Sequence, residues 1–200
     1  MSKREQDKEA RRRAILDAAK KIFAAKGFHN TSVSDIVQEV GIAQGTFYLY
    51  FDDKKAIFSE IVDSLTERLF KLITIQDIKE VKSISDIEAG VDRISTPLIS
   101  FFQENRDLGK IFLREAVGTG LGFDEKINQF YDRVTDVGVH YTEHFRKQGI
   151  IGGDYDARIA MTFLIGGAQM IIYRWVTDGL DVSEEDIVNS VKELCLKMFR

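Results

Sequence analysis

Apolar positions recur along the chain at spacings of three and four, and almost nowhere alternate with period two, which predicts helices from end to end. A first helix over about 9–26 carries Ile15, Ala18, Ala19, Ile22 and Phe23 on one face and stops at Gly27. Ser32, with Asp35 three residues on, opens a second helix over about 33–40, with Ile36, Val37 and Val40 inward and Gly41 as the turn. A third, short helix over about 44–50 sets Phe47 and Phe51 one turn apart on its buried side. Asp53 starts a long fourth helix, whose stripe runs through Ile57, Phe58, Ile61, Leu65, Leu69, Leu72 and Ile73.

Ser85 with Glu88 marks the start of the next helix, over about 86–104, with an expected kink at Pro97. Another follows over about 107–117, until Gly118-Thr119-Gly120-Leu121-Gly122 interrupts it. A phosphate-binding glycine loop needs a strand before it, so this stretch reads as a helix break and no cofactor is expected. Helix 7 spans about 124–148, helix 8 about 155–178 after Asp154, and helix 9 about 184–199 with Ser183 and Asp186 as its cap. The expected architecture is all-α with about nine helices. Residues 1–56 form a three-helix module, helix 4 from residue 54 is the connector, and residues 57–200 form a second helical domain.

Helix 8 is apolar almost all round, so it has to be covered on every side. The chain supplies one side, and a second subunit is expected on the other, where Gly166, Gly167 and Ala168 allow close approach. The run Ile159–Val176 is marginal in length for a membrane span of ~20 residues and contains Gln169 and Arg174, so it reads as a buried helix with no membrane partner. Residues 1–13 are charged and no apolar leader segment follows them. The lone Cys195 excludes an intrachain disulfide and a CxxC metal site; a reducing, cytoplasmic setting fits.

Charge is unevenly placed. Residues 1–56 hold 11 Lys/Arg against 8 Asp/Glu, a net of +3, and the remainder holds 17 against 24, a net of −7. A basic end can face phosphates while an acidic body stays in solution. Two short helices joined by a glycine turn, inside a three-helix unit, make a helix-turn-helix. With Phe47 and Phe51 inward, the outer face of helix 3 consists of Gln44, Gly45, Thr46, Tyr48, Leu49 and Tyr50. Gln44 suits a base edge, and Thr46 a base or a thymine methyl. Gly45 lets the backbone approach, and Tyr48 and Tyr50 put hydroxyls where phosphates run. Lys54 adds a charge for phosphate, and the helix 2 start at Val33–Ser34 offers free N–H groups to another. The alternative, that these aromatics are plain surface or a protein interface, is weaker on a helix that follows a glycine turn.

The segments Thr31-Ser32-Val33-Ser34-Asp35-Ile36, Gly41-Ile42-Ala43-Gln44-Gly45-Thr46-Phe47-Tyr48-Leu49-Tyr50-Phe51 and Lys54 resemble the signature of the TetR family of bacterial repressors. The likeness covers about residues 10–58. It implies a nine-helix fold, a homodimer through helices 8 and 9, a near-palindromic DNA operator and release by a small molecule. It also implies DNA contacts from Gln44, Thr46, Tyr48, Tyr50 and Lys54. Ala43 departs from the usual Ser or Thr and weakens the helix 3 cap by ~1 kcal/mol. Asp52 and Asp53 bring negative charge near the DNA face, with Asp53 expected as the cap of helix 4. Lys3, Arg4, Arg11, Arg12 and Arg13 fit phosphate contacts and a solvated helix face equally well.

The aromatic-rich second domain fits a pocket for an apolar or amphipathic effector. Phe101, Phe112, Tyr131, Tyr141, Phe163, Gln169, Tyr173 and Arg174 are the candidate lining, with Arg174 for an acidic head; ordinary core packing fits these aromatics as well. A rival enzyme reading rests on His140-Tyr141-Thr142-Glu143-His144, which matches the H-x-x-E-H zinc-hydrolase pattern but lacks a third ligand. A second rival is a protein-interaction scaffold that has kept the fold without DNA binding. The intact helix 3 face favours the regulator over both, and no catalytic residues are expected.

Overall fold

A computed structural model describes residues 2–74, 78–115, 123–177 and 179–199. Among them lie nine α-helices: α1 (Lys3–Lys26), α2 (Val33–Val40), α3 (Gln44–Phe47), α4 (Lys54–Ile73), α5 (Ile84–Glu104), α6 (Arg106–Glu115), α7 (Phe123–Lys147), α8 (Ala157–Thr177) and α9 (Glu184–Phe199). A single 3-10 turn at Ile78–Glu80 is the remaining regular element among the described residues, so the all-α expectation holds. The Gly118–Gly122 stretch lies outside the described residues.

Local signals explain most helix ends, and three helix starts differ from expectation. α1 starts at Lys3 instead of about residue 9, because Ser2 and Glu5 form a reciprocal capping box. α5 starts from Ser83 with Asp86 instead of Ser85 with Glu88. The Asp86 carboxylate accepts from the Ser83 hydroxyl and also from the Lys82 N–H, satisfying a donor that the later cap would leave alone. α8 is capped by Asp156, whose carboxylate accepts from the Ile159 N–H at 2.9 Å, and not by Asp154. Asp53 caps α4 as expected, accepting from the Ala56 N–H at 2.7 Å.

The chain divides into two compact units, one of residues 1–65 with 107–124, the other of residues 66–106 with 125–200. In the first, Ile15, Ala19 and Phe23 of α1, Ile36 of α2, Phe47 of α3 and Ile57 and Phe58 of α4 are fully buried. Phe23, Phe28 and Phe58 meet edge-on or offset with centroids 4.8–5.7 Å apart, geometries that aromatic quadrupoles favour. The Arg12 guanidinium binds both carboxylate oxygens of Glu60 and lies 4.8 Å from the Phe51 ring centre. This arginine is a tie between α1 and α4, whereas Lys3, Arg4, Arg11 and Arg13 stay exposed.

In the second unit α9 packs along α5, and both touch α8. Val81, Ile87, Phe145, Ile151 and Leu196 form a buried cluster, with Tyr141 against it. A Cβ on Gly138 of α7 would stand 2.6 Å from Met161 Sδ of α8, so this glycine sets how closely the two helices approach. The chain covers one side of α8, as expected. Ala157, Ala160, Met161, Ile172, Trp175 and Val176 are buried, but Ile159, Phe163, Gly166, Gly167 and Met170 form an exposed strip. By length and composition α8 could cross a membrane, and 28% of its most apolar window is buried.

Candidate nucleic-acid interface

The helix-turn-helix begins with a reciprocal cap. The Ser32 hydroxyl accepts from the Asp35 N–H at 3.1 Å, and the Asp35 carboxylate accepts from the Ser32 N–H at 2.8 Å. Lys26 reaches the same carboxylate at 2.7 Å. The Lys26 ammonium and then the Ser32 hydroxyl hold the Asp35 carboxyl well below the usual carboxylate range. Half-buried Val33 and exposed Ser34 therefore stand at a fixed helix entrance, where N–H groups have no intrahelical acceptor. α2 ends at Gly41, with φ 74° and ψ 38°, a left-handed turn that a side chain would strain.

α3 is shorter than expected and covers only Gln44–Phe47. Ala43 supplies no side-chain cap, and after Phe47 the chain continues as a tight turn with Tyr50 N–H donating to Phe47 O at 2.9 Å. Phe47 and Phe51, both buried, anchor the two ends of this turn. The sequence-derived face is nonetheless displayed. Gln44 and Gly45 are exposed, Thr46 and Tyr50 are half-buried, Tyr48 is 51% exposed and Leu49 is 75% exposed. Nothing lies within 4 Å of where a Gly45 Cβ would stand, so the backbone there is open to an approaching surface.

Lys54 departs from the expected phosphate contact. Its ammonium turns inward and donates to the carbonyls of Phe28, Thr31 and His29 at 2.8, 2.6 and 3.3 Å. It also lies 4.5 Å from the Phe28 ring centre. Sequence reasoning had no handle on these partners, since every acceptor is a backbone oxygen remote in sequence. It also missed Lys26, although a lysine on the last turn of one helix beside the cap of the next is a usable signal.

The eight effector candidates are divided between the two units. Phe112 belongs to the first unit and the other seven to the second. Phe101 is buried beneath the Arg68 guanidinium, 4.8 Å from its ring centre. Tyr141 is part of the cluster around Phe145, and burial pushes the Tyr131 hydroxyl up from its ordinary pKa. Gln169 and Tyr173 are half-buried. Phe163, at 74% exposure, and exposed Arg174 face outward and are corrected from pocket to surface. A cavity of about 30 Å³ between α5, α8 and α9 is lined by Ser95, Ile99, Ile171, Val191 and their neighbours, and none of the eight borders it. Its volume suits a water and not an effector.

The zinc pattern also comes apart. Glu143 pairs with Arg146 at 2.8 Å, His140 is exposed, and His144 is half-buried beside Phe145. Among the described residues no group of three His, Cys, Asp or Glu is placed to hold a metal ion.

The family profile described as "Bacterial regulatory proteins, tetR family" matches residues 15–61. The uncharacterized HTH-type transcriptional regulator YdgC of Bacillus subtilis is 36% identical over 100 residues, 50% of this chain and 51% of that protein. The fatty acid metabolism regulator protein of the same organism is 26% identical over 184 residues, 90% of this chain and 91% of its own. A crystal structure of the transcriptional regulator FadR from Bacillus subtilis in complex with stearoyl-CoA superposes with a TM-score of 0.71 at 25% identity, covering 94% of this chain and 98% of that one. The profile falls on the capped α2, the Gly41 turn and the displayed α3 face, and the likeness of fold extends over nearly the whole chain. Residues 15–61 of the chain carry the helix-turn-helix domain of the TetR family of bacterial regulatory proteins.

Proposed function

We propose that this regulator is a repressor that reads a near-palindromic operator as a homodimer and leaves it when an apolar or amphipathic molecule enters its second unit. The observation that carries the DNA reading is Leu49, 75% exposed two residues after fully buried Phe47. An apolar side chain held outward on a rigid turn is what a thymine methyl in the major groove would cover. Gln44 is assigned to a base edge, Thr46 to a base or methyl, Tyr48 and Tyr50 to flanking phosphates, and Val33 and Ser34 to a phosphate at the α2 entrance. Gly45 lets the backbone close on the groove. The protein would act where the operator is, in the cytoplasm.

The exposed apolar strip of α8 supports the dimer, with α9 beside it contributing Leu194. Two copies would then present their α3 faces to half-sites one helical turn, or a multiple of it, apart. The relatives' names support the effector class: one is a fatty acid regulator and another holds stearoyl-CoA. Long-chain acyl thioesters are accordingly the first candidates. Enrichment of bound duplexes from a random pool, then release of the enriched duplex by acyl thioesters, tests the proposal. Failure to enrich any sequence at low salt would refute the DNA reading, and enrichment without release by any apolar ligand would refute the effector reading.

A further inference from the structure

We infer that Lys54 is a positioning residue for DNA recognition: it locks the α1–α2 loop from the first turn of α4 and does not itself contact phosphate. An ammonium has three N–H donors and no acceptor. Here the three have three acceptors, the carbonyls of Phe28, Thr31 and His29. The fourth direction from nitrogen is its own aliphatic stem, and the Phe28 ring lies alongside at 4.5 Å. No donor is left for an operator phosphate in this arrangement.

The carbonyls that Lys54 collects belong to the segment that aims α2. Within it the Thr31 hydroxyl donates to Gly27 O at 2.7 Å, and the Asn30 amide donates to Lys26 O at 3.1 Å. Thr31 is buried, and the next residue, Ser32, is the α2 cap. Lys26 closes the circuit on the Asp35 carboxylate. The loop is therefore fixed at both ends by side chains and in its middle by one cation from α4. A charge-assisted hydrogen bond to a carbonyl is stronger than a neutral one. Removing the ammonium leaves three carbonyls pointing at one another with no cation between them, and the repulsion of their dipoles would open the loop. Val33 and Ser34 would then lose their fixed entrance.

The inference rests on the DNA-binding reading, and its test separates the two. In the free wild-type protein the Lys54 Nζ should give a slowly exchanging ammonium signal by 15N NMR. That signal should stay in place when the enriched duplex is added. Lys54→Met keeps the stem and removes the donors. It should lower duplex affinity at every salt concentration, leave the slope of log affinity against log salt unchanged, and speed amide exchange at Thr31 and Asp35 in the DNA-free protein. Lys54→Arg, which keeps the charge and several donors, should restore part of the amide protection. A lost phosphate contact would instead flatten the slope by about one charge. A flattened slope overturns the inference, as does an ammonium signal that appears only with duplex or an unchanged loop in Lys54→Met. If Lys54→Met does not fold, the wild-type NMR comparison decides. If no duplex is ever enriched, the DNA reading fails while the free-protein ammonium signal still tests the carbonyl lock.

Discussion

At the scale of single residues, two side chains in the reading head are expected to behave oppositely. Gln44→Ala removes a base-edge partner from an exposed position, so it should relax base preference at one operator position by ~1–3 kcal/mol and leave stability alone. Selection of duplexes by both proteins checks this, and an unchanged preference would remove Gln44 from the reading face. Asp35 lies in no contact with bases in this scheme, but it joins Ser32 and Lys26. Its carboxyl titrates below the unfolded value of ~3.9, so its contribution is fully present above that pH and is lost as pH falls through the folded value. Asp35→Asn should therefore be less stable than wild type at neutral pH, with the gap narrowing below about pH 4. Thermal melts across that range measure the gap, and a constant difference would mean the charge is irrelevant.

At the scale of elements, what was legible followed the range of the signal. The bounds of α2 could be read because Ser32, Asp35 and Gly41 are local: two side chains close the cap and a glycine takes the left-handed turn. The displayed side of α3 could be read because Phe47 and Phe51 fix its buried side. Its length could not, since an uncapped turn after Ala43 is decided by how its ends are anchored. The partners of Lys54 are backbone oxygens, which leave no mark in residue type. Exposure of Phe163 was equally hidden: periodicity reports that a helix face is apolar, not whether this chain covers it. The Gly41 turn gives an element-level expectation. Gly41→Ala keeps open space around the new methyl but strains φ 74°, and should cost ~1 kcal/mol of stability. Denaturant unfolding measures it, and a neutral result would mean the turn relaxes out of the left-handed region.

At the scale of the whole molecule, the proposed dimer and the proposed switch meet different tests. Phe163→Glu puts a charge in the middle of the exposed α8 strip without disturbing a buried contact. It should fold normally and sediment as a monomer where wild type is a dimer; a dimeric variant would move the interface elsewhere. The switch requires a ligand with different affinities for two conformations. α4 runs from the first unit into the second, so it is one element through which such a preference can act on the α1–α2 loop. Coupling of ~1–3 kcal/mol changes operator affinity ~5–150-fold, and operator must weaken the effector by the same factor. Titrating an acyl thioester with and without the enriched duplex measures both directions, and unequal factors would exclude a single linked equilibrium.

The uncovered strip of α8 has a consequence for how many copies of the protein a cell needs. Under the proposed pairing, Ile159, Phe163 and Met170 are sheltered only when two chains meet. Mass action then makes the paired form grow with the square of chain abundance while pairs are scarce. Silencing would set in over a narrow range of expression instead of in proportion to it. A gene controlled this way answers to the dosage of its regulator as well as to the effector, and halving a scarce supply of chains would cut the paired form about fourfold.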